Sequence, residues 1–209
     1  MGLAGVGALV VIALLGSQIV NMNGGPSNSA ELSVEGEPMI GNPDANVTVV
    51  EFGDFQCPAC NQFYQTSYPQ LENNYIDTGQ IRMVWKDYPL TEIGHDWAQP
   101  AAEALECTYR EGGDETFYNV KGQVFDNQGL LDASNVQSEI KSYASEENVS
   151  EEAIQGCLDS QNPGSEVNSD KDEGRSSGVS GTPTVFVNGE EVRATYSSIS
   201  AAIEQELRK

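Results

Sequence analysis

Two cysteines separated by two residues, Cys57-Pro58-Ala59-Cys60, are the part of this 209-residue chain whose type and spacing suit chemistry most directly. Thiol–disulfide exchange needs one thiolate that is accessible and stabilised, and a second thiol near enough to close a ring. The stretch NQFYQTSYPQLENNY after the motif reads as helical. Cys57 therefore stands at a predicted helix start, where unpaired N–H groups and the helix dipole lower a thiol from ~8.5 toward ~3.5–7.5. Cys60, one turn in, is shielded and can only attack its neighbour's sulfur or leave it. Pro58 suits the first turn, because its missing N–H would have had no intrahelical partner.

The elements that position the pair follow from local patterning. Val47 to Phe52, VTVVEF, is an apolar, β-branched run that reads as a buried strand, and Gly53-Asp54-Phe55-Gln56 turns the chain into the helix. Pro69 is predicted to kink that helix, Asp77-Thr78-Gly79 to stop it, and Ile81 to Lys86, IRMVWK, to form the next strand. From about Asp96 to Ser177 the patterns are helical, with breaks predicted at Gly112-Gly113, at Gln128-Gly129 and around Asn162-Pro163-Gly164; Trp97, Ala101, Leu105 and Tyr109 share one face of the first helix. Thr184 to Val187 is a strand, Asn188-Gly189 a two-residue hairpin turn, and Glu190 to Arg193 the returning strand. Ser197 or Ser198 is placed to cap a last helix. The sum is an α/β domain: a βαβ half, a helical insertion over about 92–177, and a ββα half.

Phe52-Gly53-Asp54-Phe55-Gln56-Cys57-Pro58-Ala59-Cys60, followed after a helical insert by Gly178-Val179-Ser180-Gly181-Thr182-Pro183-Thr184, resembles the DsbA-type thiol-disulfide oxidoreductases of the thioredoxin fold. The resemblance runs from about Gly41 to Leu207. It implies a cis peptide bond before Pro183, which would face the CxxC pair and leave the backbone of Thr182 to bind an extended substrate. It also implies that Glu51, six residues before Cys57, lies buried beneath Cys60 and relays its proton; the other reading is a solvent-facing strand-end glutamate. Asp54 is expected on the surface, as is His95, which matches no family role. The Pro-Ala dipeptide departs from the Pro-His of strongly oxidising members; alanine offers the thiolate no positive charge or hydrogen bond, so Cys57 is expected to be less acidic, and the pair less oxidising, than in those members.

Cys107 and Cys157 are expected to form a structural disulfide stapling the helical insert. A zinc knuckle with the CPAC pair and a second redox pair are the alternatives, and the 50-residue gap speaks against the usual zinc spacing. No metal and no bound cofactor are expected.

With 32 acidic against 10 basic side chains the formal net charge is -22, which excludes a phosphate-neutralising face and so nucleic-acid partners. Dispersed carboxylates with few lysines suit molar salt, where the Debye length is ~3 Å and self-repulsion is screened; a halophile is the expected source. Residues 1–20 are apolar and free of charge after Met1, and read as a transmembrane anchor or signal segment; Ser27-Asn28-Ser29 would be the cleavage site if it is removed. Residues 21–40 read as a flexible acidic tether and 41–209 as the catalytic domain. The expected function is an extracytoplasmic protein dithiol oxidase at the cell membrane, its domain on the extracellular side, or alternatively secreted. Its partners would be reduced or misfolded secreted proteins and a membrane redox protein. A membrane-tethered reductase or isomerase, and a redox-inactive binding module, are the rival readings.

Overall fold

The computed structural model describes residues 1–2, 29–160 and 162–209. The anchor or signal segment, and the tether up to residue 28, lie outside these residues. Among the described residues no helix is long and apolar enough to cross a membrane.

The sheet is built from β1 (Met39–Gly41), β2 (Val47–Gly53), β3 (Ile81–Asp87), β4 (Thr184–Val187) and β5 (Glu190–Val192), in the spatial order β1-β3-β2-β4-β5. β2 and β3 are parallel; the other neighbours pair antiparallel. The helices are α1 (Pro58–Thr66), α2 (Tyr68–Leu71), α3 (Ala98–Asp126), α4 (Val136–Glu146), α5 (Glu151–Ser160), α6 (Gly164–Ser176) and α7 (Tyr196–Glu206). This is the thioredoxin fold, with α3–α6 as the insertion between the two halves. The helix after the CPAC motif breaks at Ser67 before Pro69 and continues through a π turn over Glu72–Ile76. α3 runs through the predicted break, interrupted only where Gly113 takes φ 77°, a conformation that glycine adopts at little cost. The last helix is capped by Thr195, whose side chain accepts from the Ser198 N–H, rather than by Ser197 or Ser198.

Strand alternation divides the core into two faces. Val47 and Val49 of β2 face a large cluster with Leu71, Leu105, Phe117, Phe125, Ile199 and Ile203 from the helices. Val50 and Phe52 face a smaller one with Val84, Tyr88, Val179 and Phe186. The expected tether helps to close this second face. Ala30, Leu32, Val34 and Met39 pack on it, the Ala30 N–H donates to Gly189 O, and β1 pairs with β3. Short polar stretches between isolated apolar residues resemble a linker in sequence; only the sheet face supplies their partner.

Three of the five lysines are used inside the protein. Lys86, 1% exposed, meets Glu37 and Asp170 at 2.7 Å and Glu173 at 2.9 Å, joining β3 and α6 to the incoming chain. Lys121 and Lys171 are buried as well.

Candidate active site

Parallel pairing of β2 with β3, and antiparallel pairing with β4, brings the C-terminal end of β2 beside the start of β4, with Phe52 opposite Thr184. The turn after Gly53 and the loop before Thr184 therefore converge. Gly53 is required by a close approach: a Cβ there would lie 2.1 Å from the Trp85 ring. Cys57 is the N-cap of α1, with extended backbone at φ -71° and ψ 121° and no side-chain cap. The Thr182–Pro183 bond is cis, and the Cys57 thiol donates to Thr182 O at 3.4 Å.

Cys57 and Cys60 are free thiols, the first 7% exposed and the second fully buried. Their acidities are driven apart. Cys57 is lowered to about 5, chiefly by a hydrogen bond from the Cys60 thiol against the opposing cost of burial, with the Thr182 side chain and the N–H groups of Cys60 and Ala59 adding to the effect. The alanine side chain contributes nothing, but its backbone does. Cys60 is raised well above an ordinary thiol, first by burial, then by the Cys57 hydrogen bond and the Glu51 charge. The outer sulfur, Cys57, is thus held as a thiolate and the inner one as a thiol.

Glu51 is buried, 2% exposed, and near enough for its charge to act on Cys60, so the solvent-facing reading does not describe it. Burial raises its carboxyl, and Lys121 partly offsets that rise. The Lys121 ammonium, from α3, stands 3.6 Å from Glu51 Oε2, an ion pair too long for a hydrogen bond, and that oxygen has no other partner. Lys121 also lies 4.3 Å from the centre of the Trp85 ring and 5.0 Å from that of Tyr118. Burial lowers its ammonium, while Glu51 holds it up. Nothing in the local sequence marks Lys121. It sits mid-helix, 70 residues from Glu51, and only the packing of α3 against the sheet joins them.

Two residues expected on the surface are not there. Asp54 is 1% exposed, and its carboxylate accepts from the N–H groups of Gln56 (2.7 Å), Cys57 (3.1 Å) and Leu90 (2.7 Å). Its fourth partner is His95 Nδ1 at 2.7 Å, on a ring whose side chain is 16% exposed. The Asp-x-x-Cys spacing was the available signal for this turn, since aspartate side chains bind backbone N–H groups two and three residues on. Gln128, from the turn after α3, donates to Phe55 O and Cys57 O and so ties the insert to the motif. Trp97 is buried, as core.

Cys107 of α3 and Cys157 of α5 are bonded to each other, with Cα atoms 5.7 Å apart. They are therefore not ligands, and no group of metal-binding residues occurs among the described residues.

Residues 33–205 match the family model described as "Thioredoxin". The chain belongs to the thioredoxin family. Within that family it is 30% identical over 198 residues to disulfide bond formation protein D of Bacillus subtilis, covering 88% of this chain and 83% of the relative. It is likewise 30% identical to the probable disulfide bond formation protein D of Bacillus cereus, over 98% of this chain and 94% of that one. Among solved structures, oxidised BdbD from Bacillus subtilis superimposes with a TM-score of 0.77 at 29% identity, covering 87% of this chain and 98% of that one. This thioredoxin-family chain is a DsbA-like thiol–disulfide oxidoreductase.

Proposed function

We propose that the protein is an extracytoplasmic dithiol oxidase, tethered to the cell membrane by residues 1–20, that introduces disulfides into secreted proteins through Cys57 and Cys60. The observation that carries this reading is the opposed acidity of the two sulfurs, one held near 5 and the other well above an ordinary thiol. A substrate thiolate attacks Cys57 of the Cys57–Cys60 disulfide, and the Cys60 sulfur leaves with the electron pair. Glu51 passes it a proton, because a buried, high thiol cannot stay ionised. A second substrate thiolate then attacks the first substrate sulfur and expels Cys57, which leaves readily as a stabilised thiolate. The substrate is oxidised by two electrons and the pair reduced by two, to be reoxidised by a membrane redox partner. No bound cofactor enters these steps.

Thr182 and Pro183 form the substrate edge. The groove beside them is lined by Ala59, Gln62, Phe63, Thr66, Ser67, Ala194 and Thr195, without a charged group. An extended, unfolded polypeptide suits it, through Thr182's backbone and apolar contact. The charge of -22, with Lys86, Lys121 and Lys171 turned inward, supports work in concentrated salt.

The experiment is oxidative refolding of a reduced, unfolded protein in molar KCl, together with the pair's reduction potential. Cys57→Ser is expected to abolish turnover. Turnover that survives this change would refute the reading, and a potential near thioredoxin's ~-270 mV would reverse the direction to reduction.

A further inference from the structure

The hydrogen bonds of the Asp54 carboxylate join the turn that enters the cysteine pair to the loop that follows β3. Oδ1 takes the N–H groups of Gln56 and Cys57, and Oδ2 takes the Leu90 N–H and His95 Nδ1. The residue's own backbone N–H points at the Cys60 sulfur. The loop that brings Leu90 and His95 is held on its far side too. Lys171 of α6 donates to Pro89 O at 2.6 Å, and Glu92 pairs with Lys171 at 2.9 Å and with Arg175 at 2.8 Å. One buried carboxylate therefore joins a braced loop to the turn that presents Cys57.

We propose that Asp54, clamped by His95, is the positioning residue of the exchange reaction, fixing the CPAC turn so that the N–H groups of Ala59 and Cys60 face the Cys57 sulfur. Asp54 touches no reacting atom through its carboxylate. It acts through the backbone it holds: with the Gln56 and Cys57 N–H groups directed inward, the first turn of α1 keeps its remaining N–H groups for the sulfur. The other ionisable groups facing the turn are Cys60 and, behind it, Glu51 with Lys121. The inference rests on Cys57 as the exchanging thiol, which the refolding assay of Cys57→Ser tests separately.

Charge and position predict opposite signs, so one measurement separates them. Asp54→Ala removes an anion near the thiolate; by charge alone that change would lower the Cys57 titration midpoint. Loss of positioning raises it. Thiolate absorbance of the reduced full chain in molar KCl is expected to show the midpoint up by about one unit, about tenfold less thiolate below it. Asp54→Asn, which keeps an Oδ1 acceptor for Gln56 and Cys57, stays within about threefold of the parent in the same readout. A midpoint that falls or does not move in Asp54→Ala overturns the proposal. Should that variant not fold, His95→Ala on the loop serves instead, with amide exchange at Gln56 and Cys57 read by NMR. Faster exchange at both supports the clamp, and unchanged exchange overturns it.

Discussion

The Cys107–Cys157 bond offers a perturbation whose size follows from the chain itself. It joins α3 to α5 across a separation of 50 residues, and both sulfurs lie in the core at 0% and 1% exposure. Cross-linking a loop of that length removes ~4 kcal/mol of closure entropy from the unfolded chain in the chain-entropy account. Cys107→Ala/Cys157→Ala should therefore lose ~4 kcal/mol, a Tm shift of roughly 8–16 °C at the ~2–4 °C per kcal/mol of a domain this size. The assay is urea unfolding in molar KCl, with the CPAC pair oxidised in both parent and variant. In the same preparations, oxidation of a reduced substrate should keep the parent's rate, because the CPAC turn, Thr182 and Glu51 are untouched. A loss below ~1 kcal/mol would refute the loop-entropy reasoning. A folded variant of parental stability whose oxidation rate collapsed would show instead that electrons pass through the second pair.

Glu51→Gln keeps the shape of the buried side chain but cannot carry a proton, so the substrate-oxidation rate should drop ~10²-fold or more while Cys57 still alkylates first; stopped-flow turnover checks this. The pH dependence of the reduced form follows from Cys57. Its folded pKa of about 5 lies below that of an unfolded thiol, so its stabilisation is complete above ~8.5 and is lost as pH falls through about 5. Urea midpoints of reduced minus oxidised protein should accordingly decline from pH 7 to pH 4, and a rise would contradict the assigned sign. Finally, with a net charge of -22 the chain should gain stability steadily from 0.1 to 3 M KCl as repulsion is screened, measured by thermal melts; a flat response would remove the case for salt adaptation.

Much of the scaffold was readable because its signals are local. VTVVEF and IRMVWK are continuous apolar strands, Asn188-Gly189 is a turn by composition, and proline after Cys57 marks a helix start. The errors share one cause, dependence on distant partners. Residues 30–40 look like linker until the Val50–Phe52 face is present to receive Leu32 and Val34. Asp54 and His95 look like surface residues because nothing in either neighbourhood shows that the two lie 2.7 Å apart.

The sequence alone determined the reactive pair, the helix start that presents one member, and the order of elements around it, since each depends on a few neighbouring residues and on backbone geometry that proline and glycine restrict. The tertiary structure alone decided how the site's charges are set. Lys121 reaches Glu51 from a helix 70 residues away, and Cys60 is raised because helices and sheet close over it. Dielectric and charge neighbours are properties of the packed interior, and no span of sequence contains them.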